Sequence, residues 1–342
     1  MSRDTTEVRG SVPALPTTMR ALVQSAYGGT EALRLTTAPV PRPGPKQVLV
    51  RVEAASPDSG TVHLMTGRPR LLRLFLGLTR PRQPIPGLAF AGRVVAVGAA
   101  VESCAVGDAV AGSAPGAFAE YVVASPAKLA RIPDGVSMTD ASALPISAVT
   151  ALQALRDAAR VRDGQRVLVI GAGGGVGSYL VQLAVAMGAR VTGVASTAKA
   201  AHVRALGAER VIDYRVQPGP EGWGRFDIVV DTADGRGLSV LRRLLEPTGA
   251  LVIVGADHVG GPLLDGVDRQ LRALLLNPWV RHRLAASVQR ETGADVDVVL
   301  EHLAEGRITA AVEQVVPLDG AIEAIGRLQR REVSGKIVIG LG

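Results

Sequence analysis

Two rhythms of apolar residues divide this chain. Up to about residue 140 they come in short runs between turn residues: Ala21-Leu22-Val23, then Gln47-Val48-Leu49-Val50-Arg51-Val52 after a Pro/Gly-rich turn at 41–45. Gly92-Arg93-Val94-Val95-Ala96-Val97-Gly98 and Ala119-Glu120-Tyr121-Val122-Val123 continue the series. Short strands separated by turn signals predict a compact β-barrel-like domain. Beyond residue 140 the texture changes. Ala148–Ala158 has helical spacing, and strands then alternate with helices. The strands are Val167–Ile170, Val191–Val194, Val211-Ile212, Ile228–Val230 and Leu251–Val254; the helices start near Gly175 and cross 199–206 and 238–245. This alternation predicts a doubly wound parallel sheet, with strands apolar throughout because helices cover both faces. A last strand, Lys336-Ile337-Val338-Ile339, is placed to return to the first domain.

One corner of this pattern carries chemistry. Strand Val167–Ile170 runs into Gly171-Ala172-Gly173-Gly174-Gly175-Val176-Gly177, and a helix follows. Glycine here allows the tight turn, close backbone approach to a pyrophosphate and close packing of helix on strand. The helix N-terminus adds unpaired N–H groups and the positive end of its dipole. The stretch Val167–Ala189 is apolar enough to mimic a membrane span, but its glycine cluster at 173–175 argues for strand, turn and helix. An NAD site normally carries Asp or Glu at the end of the second strand. No acid occurs from Arg190 to Ala208; the turn reads Ala195-Ser196-Thr197-Ala198-Lys199. Hydroxyls and a cation suit a 2′-phosphate, so the expected cofactor is NADPH.

Composition narrows the picture further. With 342 residues, 47% hydrophobic and 20% charged, the chain has the profile of a globular protein of about two domains. Its single cysteine, Cys104, rules out an internal disulfide and a four-cysteine zinc site and fits a reducing, cytoplasmic setting. The formal charge of +7 comes mostly from arginine, the lysines being Lys46, Lys128, Lys199 and Lys336. Compositional bias accounts for it, and attraction to an anionic ligand is the sharper reading. No dense basic run interleaved with aromatics points to nucleic acid. Residues 1–18 lack a signal-peptide core and read as a disordered lead-in.

Ordered landmarks then make the chain resemble the medium-chain dehydrogenase/reductase superfamily, nearest its zinc-independent quinone and enone reductases. They include Tyr27-Gly28-Gly29, Pro86-Gly87, Val106-Gly107-Asp108, Gly116 through Tyr121, Ala143-Leu144-Pro145, Val211-Ile212-Asp213-Tyr214, Val254-Gly255 and Ser334-Gly335-Lys336. The resemblance implies a GroES-like catalytic domain from 19–145 and 310–342, a Rossmann NADPH-binding domain at 146–309, a cleft between them, and a homodimer. By position, Thr150, Gly174, Gly175, Val176, Gly177, Ser196, Thr197, Lys199, Tyr214 and Gly255 would line the cofactor.

Zinc relatives place Cys after the Ala-Ala element and His-Glu after Pro-Gly. Here those stretches read Ala54-Ala55-Ser56-Pro57-Asp58 and Pro86-Gly87-Leu88-Ala89, and His63, His202, His258, His282 and His302 form no ligand-spaced pair. No metal is expected. Zinc-free relatives carry Val-Asn-Pro-x-Asp-Trp-His, but here the run is Pro57-Asp58-Ser59-Gly60-Thr61-Val62-His63, and an acid usual after Pro-Gly is replaced by Ala89. The expected reaction is hydride transfer from NADPH to a quinone or conjugated enone, with Thr61 and His63 as donors and Asp58 as an orienting or proton-handling group. Two alternatives stand beside it: a pathway-specific tailoring enoyl or ketone reductase, and a non-catalytic NADPH-binding sensor or RNA-binding protein. Two apolar, arginine-studded segments, 68–82 and Leu271–Leu284, read either as core or dimer packing or as lids that touch a membrane surface.

Overall fold

The computed structural model describes residues 15–232, 235–255, 267–287 and 289–342, apart from the side chains of 267, 268, 274 and 278. His258 and most of the lead-in lie outside the described residues. Along the chain come β1 (Thr18–Gln24), β2 (Leu33–Pro39), β3 (Val48–Ser56), α1 (Ser59–Thr66), α2 (Arg73–Leu76), β4 (Ala89–Val97), β5 (Ala109–Ser113), β6 (Tyr121–Ala124), β7 (Leu129–Arg131) and α3 (Met138–Ser142). The middle holds α4 (Ser147–Gln153), β8 (Arg166–Ile170), α5 (Gly175–Ala186), β9 (Arg190–Ala195), α6 (Ala200–Ala205), β10 (Arg210–Asp213), β11 (Phe226–Asp231), α7 (Leu238–Arg243) and β12 (Leu245–Val254). Then follow α8 (Val267–Leu276), β13 (Arg283–Ser287), α9 (Gly293–Ala304), β14 (Val312–Pro317), α10 (Ala321–Gln329) and β15 (Lys336–Gly340).

The two apolar rhythms become two sheets. Six parallel strands lie in the order β10-β9-β8-β11-β12-β13. Their Val, Leu and Ile residues are buried on both faces, with α4, α5 and α9 packed into the core on one side and Trp223, Leu241 and Ala273 on the other. The barrel-like sheet runs β14-β15-β3-β4-β5-β7, with β6 paired to β3. Its core gathers Leu22, Val50, Phe90, Phe118, Val122 and Ile339. The C-terminal strand does return to the first domain: β15 pairs antiparallel with β3, Ile339 opposite Ala55.

Local departures from the sequence reading have clear causes. The helix expected over 148–158 starts at Ser147, widens into π-helical turns at Ala154–Ala159, and ends where Arg160 turns left-handed at φ 53°. The helix expected across 199–206 begins as a 3-10 turn at Thr197–Lys199, and only Ala200–Ala205 is α. The segment Leu271–Leu284 is no single lid. It ends α8 and enters β13, so Ala273 and Leu284 are buried while Leu275 (74%) and Trp279 (86%) stay exposed.

Tyr179, buried on α5, joins the two parts: its hydroxyl donates to Ala310 O at 2.5 Å and lies 3.4 Å from Ala143 O. Tyr179→Phe keeps the ring and leaves the Ala310 carbonyl without this donor. It is expected to lower unfolding stability by about 1–2 kcal/mol, measured by urea denaturation.

Candidate active site

The strand order of the parallel sheet reverses between β8 and β11, which is where sheets of this kind leave a crevice at their carboxyl ends. The glycine turn sits at that point. Gly171 leaves β8 with φ 84°, a conformation that L side chains resist, and its N–H donates to Val194 O at 3.1 Å. A Cβ on Gly177 would meet Gly171 O at 2.0 Å, so helix and turn approach this closely only with glycine. Gly174 caps α5 in an extended conformation and no side chain satisfies the cap. The first N–H groups of α5 therefore lack intrahelical or side-chain cap partners, as an anion cradle requires. The cradle fits a pyrophosphate, and Gly174, Gly175, Val176 and Gly177 all lie on it.

The edge beside this turn is less simple than the sequence reading supposes. Ser196 is buried and Thr197 exposed at the end of β9, and Tyr214 is exposed just beyond β10 with its N–H on Ala195 O at 3.2 Å. Lys199 lies elsewhere in function. Its stem crosses Gly173, and its ammonium donates to the carbonyls of Arg331 and Val333. Burial lowers its pKa. An acid also reaches this edge from the next strand: Asp213 is aligned with Ala195, and Thr197 hydrogen-bonds its carboxylate. That bond, with the N–H groups of Arg215 and Val216, holds the carboxyl below its ordinary range. Thr150 is buried on α4, donating to Ile146 O at 2.7 Å and lying 3.0 Å from Gln289 Oε1. Gly255 follows β12 at φ 79°, and its carbonyl accepts from Gln270 Nε2 at 2.8 Å.

The opposite wall comes from the β3–α1 corner. Asp58 caps α1, one oxygen accepting from Thr61 N at 2.8 Å and lying 3.3 Å from Thr61 Oγ1. Its other oxygen is buried without a hydrogen-bond partner. Thr61 is fully buried beside it. His63 is half-buried on the same helix, and residues two apart on a helix do not share a face. The structure thus brings Asp58 and Thr61 into contact, while His63 lies on a different face of α1 from Thr61.

Sequence reasoning missed the residue that joins the two walls. Lys336, 2% exposed at the start of β15, donates to Pro57 O at 2.9 Å and to Ser147 Oγ at 3.1 Å. Its stem lies against Gly175, where an added Cβ would sit 3.2 Å from Cδ, and the neighbouring Gly335 N–H donates to Gly173 O at 3.1 Å. Burial drives its pKa down to about 8 while the charge of Asp58 opposes the fall. Burial likewise pushes Asp58 up, against the pull of Lys336. A lysine opening an apolar strand was visible in the sequence, but nothing local marks it as buried. A second missed pair, Asp231 at the end of β11 and Arg269 on α8, forms a buried salt bridge at the crevice. Among the described residues, no three His, Cys, Asp or Glu side chains are grouped to hold a metal ion.

With this geometry in place, likeness to known proteins is informative. Residues 44–134 match the alcohol dehydrogenase GroES-like domain family, and 206–339 match the zinc-binding dehydrogenase family. A chloroplastic quinone-oxidoreductase homologue of Spinacia oleracea is 31% identical, with 94% of this chain and 98% of that protein covered. The mitochondrial NAD(P)H oxidoreductase RTN4IP1 of Mus musculus is 30% identical, with 95% and 90% covered. The fold matches the quinone oxidoreductase structure from Coxiella burnetii with a TM-score of 0.82 at 27% identity, covering 95% of this chain and 100% of that one.

Gly177→Ala is expected to weaken dinucleotide binding by at least about tenfold, read by fluorescence titration, because the helix must withdraw from the turn. Lys336 provides a stability test. Its folded pKa of about 8 lies below the solvated value of 10.5, so the unfolded chain holds more protons between these values. This group's contribution to stability therefore rises with pH above 8. Lys336→Met should remove a gain on the order of 1–2 kcal/mol between pH 8 and 9.5, measured by denaturant unfolding at both values.

Proposed function

The chain belongs to the medium-chain dehydrogenase/reductase superfamily, in its quinone-oxidoreductase-like branch, and from that premise we propose that it is a zinc-independent, NADPH-dependent reductase of quinones or α,β-unsaturated carbonyl compounds. It is an oxidoreductase that uses a nicotinamide cofactor. The observation that carries the finer reading is the uncapped glycine turn facing the Asp58–Thr61 corner across Lys336.

Gly174 through Gly177 would hold the pyrophosphate through backbone N–H groups at the start of α5, where the helix dipole favours negative charge. The bound nicotinamide would supply the hydride. Support for the 2′-phosphate comes from Ser196, Tyr214 and the exposed Arg215, with no acid on the end of β9 itself. Asp213 is held ionised at this edge by Thr197 and by the N–H groups of Arg215 and Val216, so Arg215 has to offset its charge beside a 2′-phosphate. Lys199 acts as a brace between turn and C-terminal segment. Zinc independence is supported by the donor set: Ser56-Pro57 follows Ala54-Ala55 and Leu88 follows Gly87, where zinc relatives carry ligands.

At the reacting centre, Thr61 offers a buried hydroxyl and Asp58 fixes it through two interactions on one oxygen. A carboxyl pushed up by burial keeps a proton at higher pH, so the free Asp58 oxygen is suited to holding or passing one as charge develops on the substrate oxygen. Lys336 opposes that by favouring the carboxylate, and the balance between them sets the state of Asp58. As a homodimer, two copies would cover the apolar face at Leu275 and Trp279, next to edge strand β13.

The test is a panel of quinones, enones and aldehydes followed by cofactor absorbance, NADPH beside NADH. Turnover of a quinone or enone with at least about tenfold higher kcat/KM for NADPH is expected. Asp58→Asn and Thr61→Val should each lower kcat by about 10–100-fold while leaving NADPH affinity unchanged. Absence of turnover across the panel, or a preference for NADH, would overturn the reading.

A further inference from the structure

Residues 59–101 contain no Asp or Glu, yet Arg68, Arg70, Arg73, Arg80 and Arg82 all fall within 68–82. The structure folds this stretch into a small hook, a 3-10 turn at Arg70–Leu72 running into α2. Its base is fixed. Arg73 donates to Gly67 O at 2.9 Å and Thr66 O at 3.0 Å, and its guanidinium stacks 4.3 Å from the Tyr27 ring. Tyr27 closes the loop by donating to Gly77 O at 2.7 Å, and Arg82 donates to Phe75 O at 3.1 Å. The tip is apolar and faces solvent: Leu71 is 48% exposed, Leu72 40%, Leu74 58%, Phe75 73% and Leu78 68%. The expectation of core packing for this segment is therefore not met in the single chain.

A folded monomer rarely leaves so many large apolar side chains exposed together without an occupant. Charge decides which occupant fits. The surface flanking the tip is cationic, with Arg70 and Arg80 exposed and no acid in the surrounding sequence. A second copy presenting the same face would set arginine against arginine, which opposes self-association there. Leucine and phenylalanine at a tip flanked by arginine match the chemistry of a surface that inserts shallowly between anionic lipid headgroups.

We propose that the 68–82 hook docks the protein on an anionic lipid bilayer, with Leu71, Leu74, Phe75 and Leu78 entering the boundary between headgroups and acyl chains and Arg70 and Arg80 pairing with lipid phosphates. Gly67 joins the hook directly to α1, the helix that Asp58 caps and Thr61 occupies. Docking thus sets the candidate site next to a reservoir of lipophilic compounds. The contact is peripheral; no helix among the described residues is long and apolar enough to cross a membrane.

The experiment is co-sedimentation of the full chain with vesicles of phosphatidylcholine alone or of phosphatidylcholine mixed with phosphatidylglycerol. Binding is expected only to the mixed vesicles, and to weaken as salt is raised. The pair Leu74→Asp/Phe75→Asp, and separately Arg70→Glu/Arg80→Glu, should each reduce the bound fraction by about tenfold or more. Both variants should keep the parent's thermal unfolding and NADPH binding, which separates lost docking from lost fold. No binding to the mixed vesicles at low salt overturns the proposal, as does binding that survives both variants. It is equally overturned if Leu74→Asp/Phe75→Asp dissociates a dimer while vesicle binding is absent, since the face would then belong to a second copy.

Discussion

The close approach of α5 to the end of β8 is the constraint on which the rest of this molecule depends. Only hydrogen at Gly177 lets the helix lie against the Gly171 carbonyl, and only a residue at ease with positive φ makes the turn between them. Once the helix lies there, its N-terminus points into the crevice where the parallel sheet changes direction. The same closeness leaves room for the C-terminal segment to fold over the turn. Gly335 bonds Gly173 and the stem of Lys336 fills the space beside Gly175, so cofactor cradle and barrel are fastened at one place.

That fastening brings a charge into the interior. Burying an ammonium and a carboxylate costs several kcal/mol each unless they find hydrogen bonds and each other. Lys336 has two oxygen partners, and Asp58 has a helix cap on one oxygen and none on the other. The pair is thus only partly compensated, an arrangement found where a protein needs groups whose protonation responds to a nearby reaction. Its members come from distant parts of the chain, β15 and the β3–α1 corner, which the barrel-like sheet sets side by side.

The two sheets, the crevice and the glycine cradle were legible in the sequence because each rests on local pattern. Continuous Val/Ile/Leu runs leave little choice but a strand covered on both faces, and a glycine cluster between strand and helix has few other uses. The lateral edge of the cofactor site was less legible. Absence of an acid at the end of β9 was read correctly along the chain, yet Asp213 arrives beside Thr197 from the neighbouring strand. Lys199 has the right position but its ammonium is taken by two carbonyls more than 130 residues away in sequence. Thr61 and His63 were grouped by proximity in sequence, and helical geometry separates them.

The sequence by itself determined the order of elements, the chemistry of the turn and the lack of cysteine and histidine at the positions where zinc relatives hold metal, since these depend on residue type and short spacing. Tertiary structure alone decided which ionisable groups are buried together, which cation is already spent on backbone, and which leucines stay in water. Burial and pairing are properties of contacts between distant segments, and a side chain's pKa, availability and exposure follow from those contacts rather than from its neighbours along the chain.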